Sequence, residues 1–393
     1  MIAARKNIAV LAACQALLFT NNSTVIALNG LVGYALAADK RLATLPVTGW
    51  VIGAALTTFF ASLLMKRIGR QAGFAIGTVF GIVGALICAW AIYIGNFWVF
   101  CVGTVVFGVY NAFGQYYRFA AAEVAPVDFR TKAISLVIAG GLVGGIVGPT
   151  TSRWTKDLLP TTYLGAYLAL IGFLVLVLLV LRMLRIPPPS AAEAKEGGRP
   201  LVEIVRQPAY IVAVLGAGLG YGIMNLLMTA TPLAMGACGH PYSAAATVIS
   251  WHVIGMFAPS FITGDLIRRF GVLNVMMAGV VLNAACVAIA LAGVDVANFW
   301  AALVLLGIGW NFLYIGGTAL LTETYRPEER AKAQGANDFL IFVVMATSSF
   351  ASGMVLEARG WDALNYIAIP LVAVIGISIA WMMSRRRRAA AAA

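Results

Sequence analysis

Long apolar stretches recur along the whole chain, separated by short turns that contain charged residues, glycine or proline. A bilayer core about 30 Å thick requires about 20 apolar residues for each helical span. The stretches are continuously apolar rather than alternating, which favours helices over the strands of a barrel. The pattern predicts an all-α membrane protein with twelve transmembrane helices, at 8–29, 43–65, 72–94, 97–121, 133–151, 162–183, 209–233, 243–264, 272–294, 298–321, 336–355 and 363–383.

Positive charge is distributed unevenly between alternate loops. Of the 27 lysines and arginines, 21 fall on one side of the predicted membrane and five on the other, and Arg118 lies within a span. The positive-inside rule then places the protein in a bacterial inner membrane, with both termini and the central loop on the cytoplasmic side. The net charge of +12 is thus a feature of topology. The Arg385–Arg388 run is expected to contact anionic lipid, and no nucleic-acid partner is expected.

This topology can be tested by cysteine labelling. In a cysteine-free background, a cysteine at Lys40 should react with a membrane-impermeant maleimide added outside. A cysteine at Lys195 should react only after the membrane is opened, because the charge asymmetry places the two positions on opposite sides. Equal labelling of both positions in intact cells would contradict the predicted orientation.

The chain contains an internal repeat with an offset of about 200 residues. Asn96-Phe97-Trp98 recurs as Asn298-Phe299-Trp300, and Lys66-Arg67-x-Gly69 recurs as Arg268-Arg269-x-Gly271. Four single positions also recur: Asn111, Glu123, Arg130 and Lys132 correspond to Asn311, Glu323, Arg330 and Lys332. We therefore predict an N-terminal six-helix half at 1–184, a cytoplasmic linker at 185–206 and a C-terminal six-helix half at 207–393. Two such halves related by an axis along the membrane normal resemble the major facilitator transporters, and the resemblance implies their fold of two pseudo-symmetric halves.

The short loops carry a second resemblance to that superfamily. Its loop between helices 2 and 3 reads roughly G-x-L-x-D-R-x-G-R, and 62–70 and 264–271 are similar to it. Both copies depart from the pattern, since Lys66 and Arg268 stand where the family has an acidic residue that helps to lock the two halves. The candidate gating or coupling residues are Lys66, Arg67, Arg268, Arg269, Arg118, Glu123 and Asp338.

Three of these candidates lie in or near predicted spans. Arg118 needs a partner, and Glu123, five residues further on, is not well placed on its helix face. Asp338, at the predicted start of helix 11, would either couple protons or interact with the helix macrodipole. Polar residues of span 4 are expected to line the pathway, and they are Tyr110, Asn111, Gln115, Tyr116, Tyr117 and Arg118.

Several function classes are excluded by missing motifs. The sequence contains no P-loop, so it has no ATPase of its own. Neither of its two histidines accompanies a nucleophile and a carboxylate at a recognisable spacing, and its five cysteines include no CxxC. We therefore expect a secondary transporter that is not an enzyme and holds no cofactor.

Methionine and histidine form a distinctive pattern in two consecutive spans. Met224 and Met228 are four residues apart in span 7, and His252 and Met256 are four residues apart in span 8. Each pair lies on one helix face, and at 1.5 Å per residue all four fall in a band roughly 9 Å tall near mid-membrane. Thioether and imidazole groups suit Cu(I) and bring no net charge into the membrane. The alternative is that the methionines only fill gaps in the core.

The paired motifs MxxxM and HxxxM resemble those of the CcoA-like bacterial copper importers. The resemblance implies copper as the transported substrate and copper supply for assembly of cbb3-type cytochrome oxidase. A copper chaperone or an oxidase assembly factor would then be the protein partner. The predicted metal site is Met224, Met228, His252 and Met256, with Met224 facing His252.

A softer cluster and two rival functions complete the sequence-based hypotheses. Met235, Cys238 and His240 lie at the predicted periplasmic end of span 7 and would capture copper before it reaches the deeper site, unless they form an ordinary exposed turn. The main rival is an organic-solute carrier for riboflavin uptake or drug efflux, which predicts aromatic and polar pathway residues. A membrane sensor is a second rival, but no segment is long enough for its soluble domain.

Overall fold

The computed structural model of the protein describes residues 2–187 and 198–392. The described residues form helices and turns and contain no β-strand. Residues 188–197, within the predicted linker 185–206, lie outside the described residues. The domain boundaries at 1–184, 185–206 and 207–393 accordingly stay predictions.

Up to residue 187, long helices alternate with short turns. They are α1 (Ile2–Leu36), α2 (Leu45–Ile68), α3 (Arg70–Tyr93), α4 (Phe97–Gly114), α5 (Tyr117–Val124), α6 (Arg130–Thr155) and α7 (Leu164–Leu181). The helices α4 and α5 act together as one apolar span, Phe97–Val124. The first helix is longer than the predicted 8–29, because helical hydrogen bonding continues into the charged N-terminal flank and through the apolar residues 30–36.

From residue 198 onward the same alternation continues. The helices are α8 (Leu201–Val205), α9 (Pro208–Val214), α10 (Gly220–Ala237), α11 (Tyr242–Phe257), α12 (Ser260–Phe270), α13 (Val272–Ala292), α14 (Val296–Leu321) and α15 (Arg330–Ala392). A π-helical turn at Leu215–Leu219 joins α9 to α10 within one span, Pro208–Ala237.

The described residues supply enough apolar helix for the predicted number of spans. Ten helices are long and apolar enough to cross a membrane, and α11 with α12 forms one further span bent by 41°. The helix α15 has 63 residues and is divided by Gly360, whose φ of 78° breaks the helical path. At 1.5 Å per residue it is far too long for one crossing. Counting its two arms separately gives twelve spans, as predicted.

The predicted loop repeat is reproduced in the backbone. Gly69 ends α2 with φ 88° and ψ 161°, and Gly271 ends α12 with φ 87° and ψ 149°. Side chains other than hydrogen are strained at such positive φ values, so both turns require glycine. The two copies of the sequence motif therefore make the same sharp turn.

One compact unit comprises Met1–Phe129, Leu136–Gly197 and Pro327–Phe342. Inside it, α2 packs against α4 through glycines that let the two backbones meet. A Cβ atom at Gly108 would lie 2.2 Å from the Trp50 carbonyl oxygen, and one at Gly53 would lie 2.0 Å from that of Val105. Such contacts between small residues are the usual way in which membrane helices approach closely.

The other compact unit comprises Arg130–Ser135, Gly198–Arg326 and Val343–Ala393. Inside it, α11 packs against α14 in the same manner. A Cβ atom at Gly307 would lie 2.6 Å from the His252 carbonyl oxygen and 2.8 Å from the Met256 amide nitrogen. This close approach fixes the part of α11 that carries the predicted HxxxM motif.

Candidate functional site

A buried ion pair links span 4 to α15 within the first compact unit. Arg118 Nη2 donates to Asp338 Oδ1 at 2.5 Å, and the two side chains are only 3% and 2% exposed. Asn337 Nδ2 donates to the same oxygen at 2.8 Å. Arg118 thus has the buried carboxylate partner that its position in a membrane requires, and that partner is Asp338 rather than Glu123.

The predicted role of Asp338 at a helix start is wrong. The helix α15 begins at Arg330, so Asp338 lies more than two turns inside it, where the macrodipole has little effect. The sequence did not indicate this earlier start, because the first turns of the helix contain charged and amide side chains and the apolar stretch begins only near residue 336.

A second polar network surrounds Glu123 in the same unit. Arg70 donates to both Glu123 carboxylate oxygens, at 3.1 and 2.5 Å. Arg70 Nη2 also donates to Gln334 Oε1 at 2.7 Å, and Arg330 lies 3.6 Å from Glu123. Glu123 was a predicted gating residue, whereas the role of Arg70 was missed. Its place at the end of the predicted loop motif was the available signal.

The basic loop residues predicted for gating have different surroundings. Arg67 and Arg269 are exposed, and Lys66 is half-buried. Arg268 donates to Asp265 at 3.1 Å. In the second compact unit, Lys132 forms an ion pair with Asp265 and also donates to the Phe261 carbonyl oxygen at 2.5 Å. The acidic residue absent from the expected loop position is thus provided one turn earlier, by Asp265.

An amide cluster lies between α1 and α4, near the middle of both spans. Asn22 Nδ2 donates to Asn111 Oδ1 at 2.8 Å, and Gln115 Nε2 donates to the same oxygen at 3.1 Å. Asn22 and Asn111 are buried, and Gln115 is half-buried. Asn22 was missed as a candidate, although a polar side chain in the middle of a span was a signal for it.

Three tyrosines of span 4 are buried in this structure. Tyr110, Tyr116 and Tyr117 are all less than 2% exposed, and Tyr116 donates to the Thr58 carbonyl oxygen at 2.7 Å. Their rings pack span 4 against its neighbours, as large aromatic side chains do in a core. The expectation that these tyrosines line the pathway stays a prediction.

The four predicted metal ligands all lie in the second compact unit. His252, Met224 and Met256 are buried, whereas Met228 is half-buried. The His252 Nδ1 atom lies 2.7 Å from the Leu303 carbonyl oxygen of α14, while Nε2 has no hydrogen-bond partner. If Nδ1 carries the proton, this bond leaves the Nε2 lone pair available. The copper site itself stays a prediction.

The predicted metal-capture cluster is spread over different surroundings. Met235 is fully buried, whereas Cys238 is exposed. His240 Nε2 lies 2.7 Å from the Val294 carbonyl oxygen. The role of these three residues in copper capture stays a prediction. Within residues 2–187 and 198–392, no group of three or more His, Cys, Asp and Glu side chains could hold a metal ion.

An aromatic cluster not foreseen from the sequence occupies the second compact unit. Trp310 and Tyr314 of α14 are stacked with ring centroids 4.9 Å apart, and Tyr221 of α10 contacts both rings edge-on. Phe257 of α11 packs edge-on against Trp310 at 5.7 Å. The cluster brings together three helices, and it was missed because each ring lies in a separate apolar stretch.

Apolar spans, a repeated loop motif and buried polar groups near the middle of the spans are typical of membrane transporters. A sequence profile of the Major Facilitator Superfamily matches residues 11–258 and 213–393. The chain therefore belongs to the Major Facilitator Superfamily. Its fold is accordingly that of a transporter and not of an enzyme.

Individual relatives agree with this assignment. The riboflavin transporter RfnT of Brucella anthropi is 43% identical over 395 residues, which cover 99% of each chain. The MFS-type transporter YddS of Bacillus subtilis is 29% identical over 90% of this chain and 86% of its own. The crystal structure of the transporter FucP in an outward conformation has a TM-score of 0.77 at 17% identity and covers 95% of this chain and 98% of FucP. This last similarity concerns the fold.

Proposed function

We propose that the protein is a secondary transporter that takes up riboflavin, or a solute with a similar planar heteroaromatic ring. The observation that carries this proposal is the 43% identity, over 99% of both chains, to the riboflavin transporter RfnT. The protein would lie in the bacterial inner membrane with both of its termini in the cytoplasm, as the loop charges predict. The organic-solute alternative thus becomes the leading hypothesis, and the CcoA-like assignment lacks support from the relatives.

Two features of the structure suit such a solute. The rings of Tyr221, Trp310 and Tyr314 provide aromatic surface in the second compact unit, and aromatic side chains pack well against flat ring systems. The amides of Asn22 and Asn111 provide uncharged hydrogen-bonding groups in the first. Aromatic surface and uncharged polar groups are each suited to binding a neutral heterocycle, which needs few charged partners.

Copper import is a second candidate, favoured by one observation at His252. Its Nδ1 atom contacts a backbone carbonyl oxygen at 2.7 Å while its buried Nε2 atom has no partner. Metal-binding histidines commonly donate their other ring nitrogen in this way. The predicted methionines would supply sulfur ligands, and copper would be the transported substrate, passed to a chaperone or an oxidase assembly factor.

The two candidates can be separated in one uptake experiment. A bacterial strain that cannot make riboflavin should grow on limiting riboflavin when it carries this gene, and it should accumulate radiolabelled riboflavin faster than the empty-vector control. Radiolabelled copper uptake is measured in parallel, with a fluorescent C-terminal fusion to confirm membrane insertion. Copper accumulation without riboflavin uptake would overturn the proposal and favour the second candidate.

A further inference from the structure

A buried hydrogen-bond acceptor in the middle of α1 has no donor. Asn22 uses its Nδ2 group to donate to Asn111 at 2.8 Å, while its Oδ1 atom is buried without a hydrogen-bond partner. The whole side chain is only 5% exposed. Most buried polar atoms in proteins are paired, because desolvation without a replacement bond is unfavourable. An unpaired amide oxygen at mid-membrane depth therefore requires an explanation.

The internal repeat provides a comparison within the same chain. Asn311 corresponds to Asn111 in the second half, and its Nδ2 group donates to the Met256 carbonyl oxygen and to Ser260 Oγ, both at 2.6 Å. Its Oδ1 atom accepts a bond from Thr263 at 2.7 Å. Asn311 thus holds α14 to α11 and α12, with both ends of its amide in use. This is a structural role.

The corresponding amide in the first half is used differently. The oxygen of Asn111 accepts bonds from two other amides, Asn22 and Gln115, rather than joining backbone groups. Gln115 is half-buried, so the cluster extends from the core toward more accessible surroundings. Gln115 Oε1 also accepts a bond from Arg118 at 3.1 Å. The amide cluster therefore connects Asn22 to the Arg118–Asp338 ion pair through hydrogen bonds.

We infer that the cluster of Asn22, Asn111 and Gln115 is a solute-binding site in which Asn22 Oδ1 accepts a hydrogen bond from a ring N–H group of the transported solute. The inference rests on the proposed function and adds to it the chemical feature that is recognised. In riboflavin that feature is the imide N3–H of the isoalloxazine ring. Solutes lacking this donor would leave the Asn22 oxygen buried and unpaired, which is a strong basis for selectivity.

The test compares riboflavin with 3-methylriboflavin, in which the N–H donor is replaced by a methyl group. We expect wild-type protein to show a KM about tenfold lower for riboflavin, as the loss of one hydrogen bond to a buried acceptor implies. In the Asn22→Ala variant, the KM for riboflavin should rise about tenfold, and the preference should fall to within about twofold. Uptake is normalised to the amount of protein in the membrane.

The matched control is Asn311→Ala at the corresponding position of the repeat. This variant should lower membrane abundance or thermal stability, yet each inserted molecule should keep the preference for riboflavin over its methylated analogue. An Asn22→Ala variant that retains the full preference would overturn the inference while leaving riboflavin transport intact.

A binding measurement separates failure of this inference from failure of the proposed function. If wild-type protein does not transport riboflavin, the proposed function is wrong. Thermal stabilisation of purified protein is then measured with lumazine and 3-methyllumazine, two smaller rings that differ in the same N–H group. Selective stabilisation of wild type, lost in Asn22→Ala, would uphold the inferred site, and equal responses to both compounds would overturn it.

Discussion

Replacing Asp338 with leucine while Arg118 is retained should lower the free energy of unfolding by about 3–5 kcal/mol and abolish transport. The Arg118 guanidinium would keep its charge in a place where its side chain is 3% exposed, without the carboxylate that compensates for desolvation. The hydrogen bond from Asn337 would also be lost. Thermal unfolding of purified protein, with uptake into vesicles, measures both effects.

Two control variants make this prediction specific. Leucine at both Arg118 and Asp338 should recover much of the lost stability, because an apolar pair often replaces a buried ion pair without cost. Transport should remain absent in that double variant if the charges are needed for function. Glu323→Leu breaks the Arg386–Glu323 pair, whose side chains are 42% and 49% exposed, and should cost less than about 1 kcal/mol. An Asp338→Leu variant as mild as Glu323→Leu would contradict the prediction.

Replacing Met224, Met228 and Met256 with leucine should remove any copper accumulation that the wild type supports and leave riboflavin uptake near the wild-type level. Leucine nearly conserves the volume of methionine, so each change should cost less than about 1.5 kcal/mol of stability. It removes the sulfur atom, however, and with it the donor that Cu(I) prefers. Radiolabelled copper and riboflavin uptake are measured on the same membranes.

A single change at His252 complements the methionine variant. His252→Gln keeps a polar group of moderate size near the Leu303 carbonyl oxygen, which now lies 2.7 Å from Nδ1, but removes the imidazole Nε2 atom. Copper uptake should fall to the level of the triple variant if the histidine is a ligand. Copper accumulation that survives in the triple methionine variant would contradict the predicted methionine ligands. Loss of riboflavin uptake there, at normal membrane abundance, would show instead that these methionines are needed for transport of that solute.

The membrane topology of this chain could be predicted from local sequence because it depends on local physics. A bilayer selects apolar stretches of sufficient length, and the twelve stretches correspond to helical spans. The repeated loop motif likewise predicted equivalent turns, since Gly69 and Gly271 adopt nearly the same positive φ that glycine alone adopts readily. The helical spans and the glycine turns each depend only on residues that lie within a few tens of positions of one another in the sequence.

The short methionine and histidine motifs were a weaker guide to the transported substrate than the apolar pattern was to the helical spans. The pairs MxxxM and HxxxM place side chains on one face of each helix, but they cannot distinguish metal ligands from core residues. His252 and Met256 lie where α11 packs closely on Gly307 of α14, a contact that the spacing of methionine and histidine does not reveal. The full-length identity to a riboflavin transporter averages over the whole pathway, so it carries more information about the solute than four positions do.

The sequence by itself determined the apolar spans and the repeated loop motif, and it predicted an orientation from charge. Only the tertiary structure decided which buried polar groups meet. Arg118 and Asp338 are 220 residues apart, and Asn22 and Asn111 are 89 apart. Their pairing depends on how whole helices pack, whereas sequence patterns report only the face and depth of each helix. The same limit explains why Asn311 bonds to a backbone carbonyl and two hydroxyl groups while its counterpart Asn111 bonds to two amide side chains, although the repeat makes the two positions equivalent in sequence.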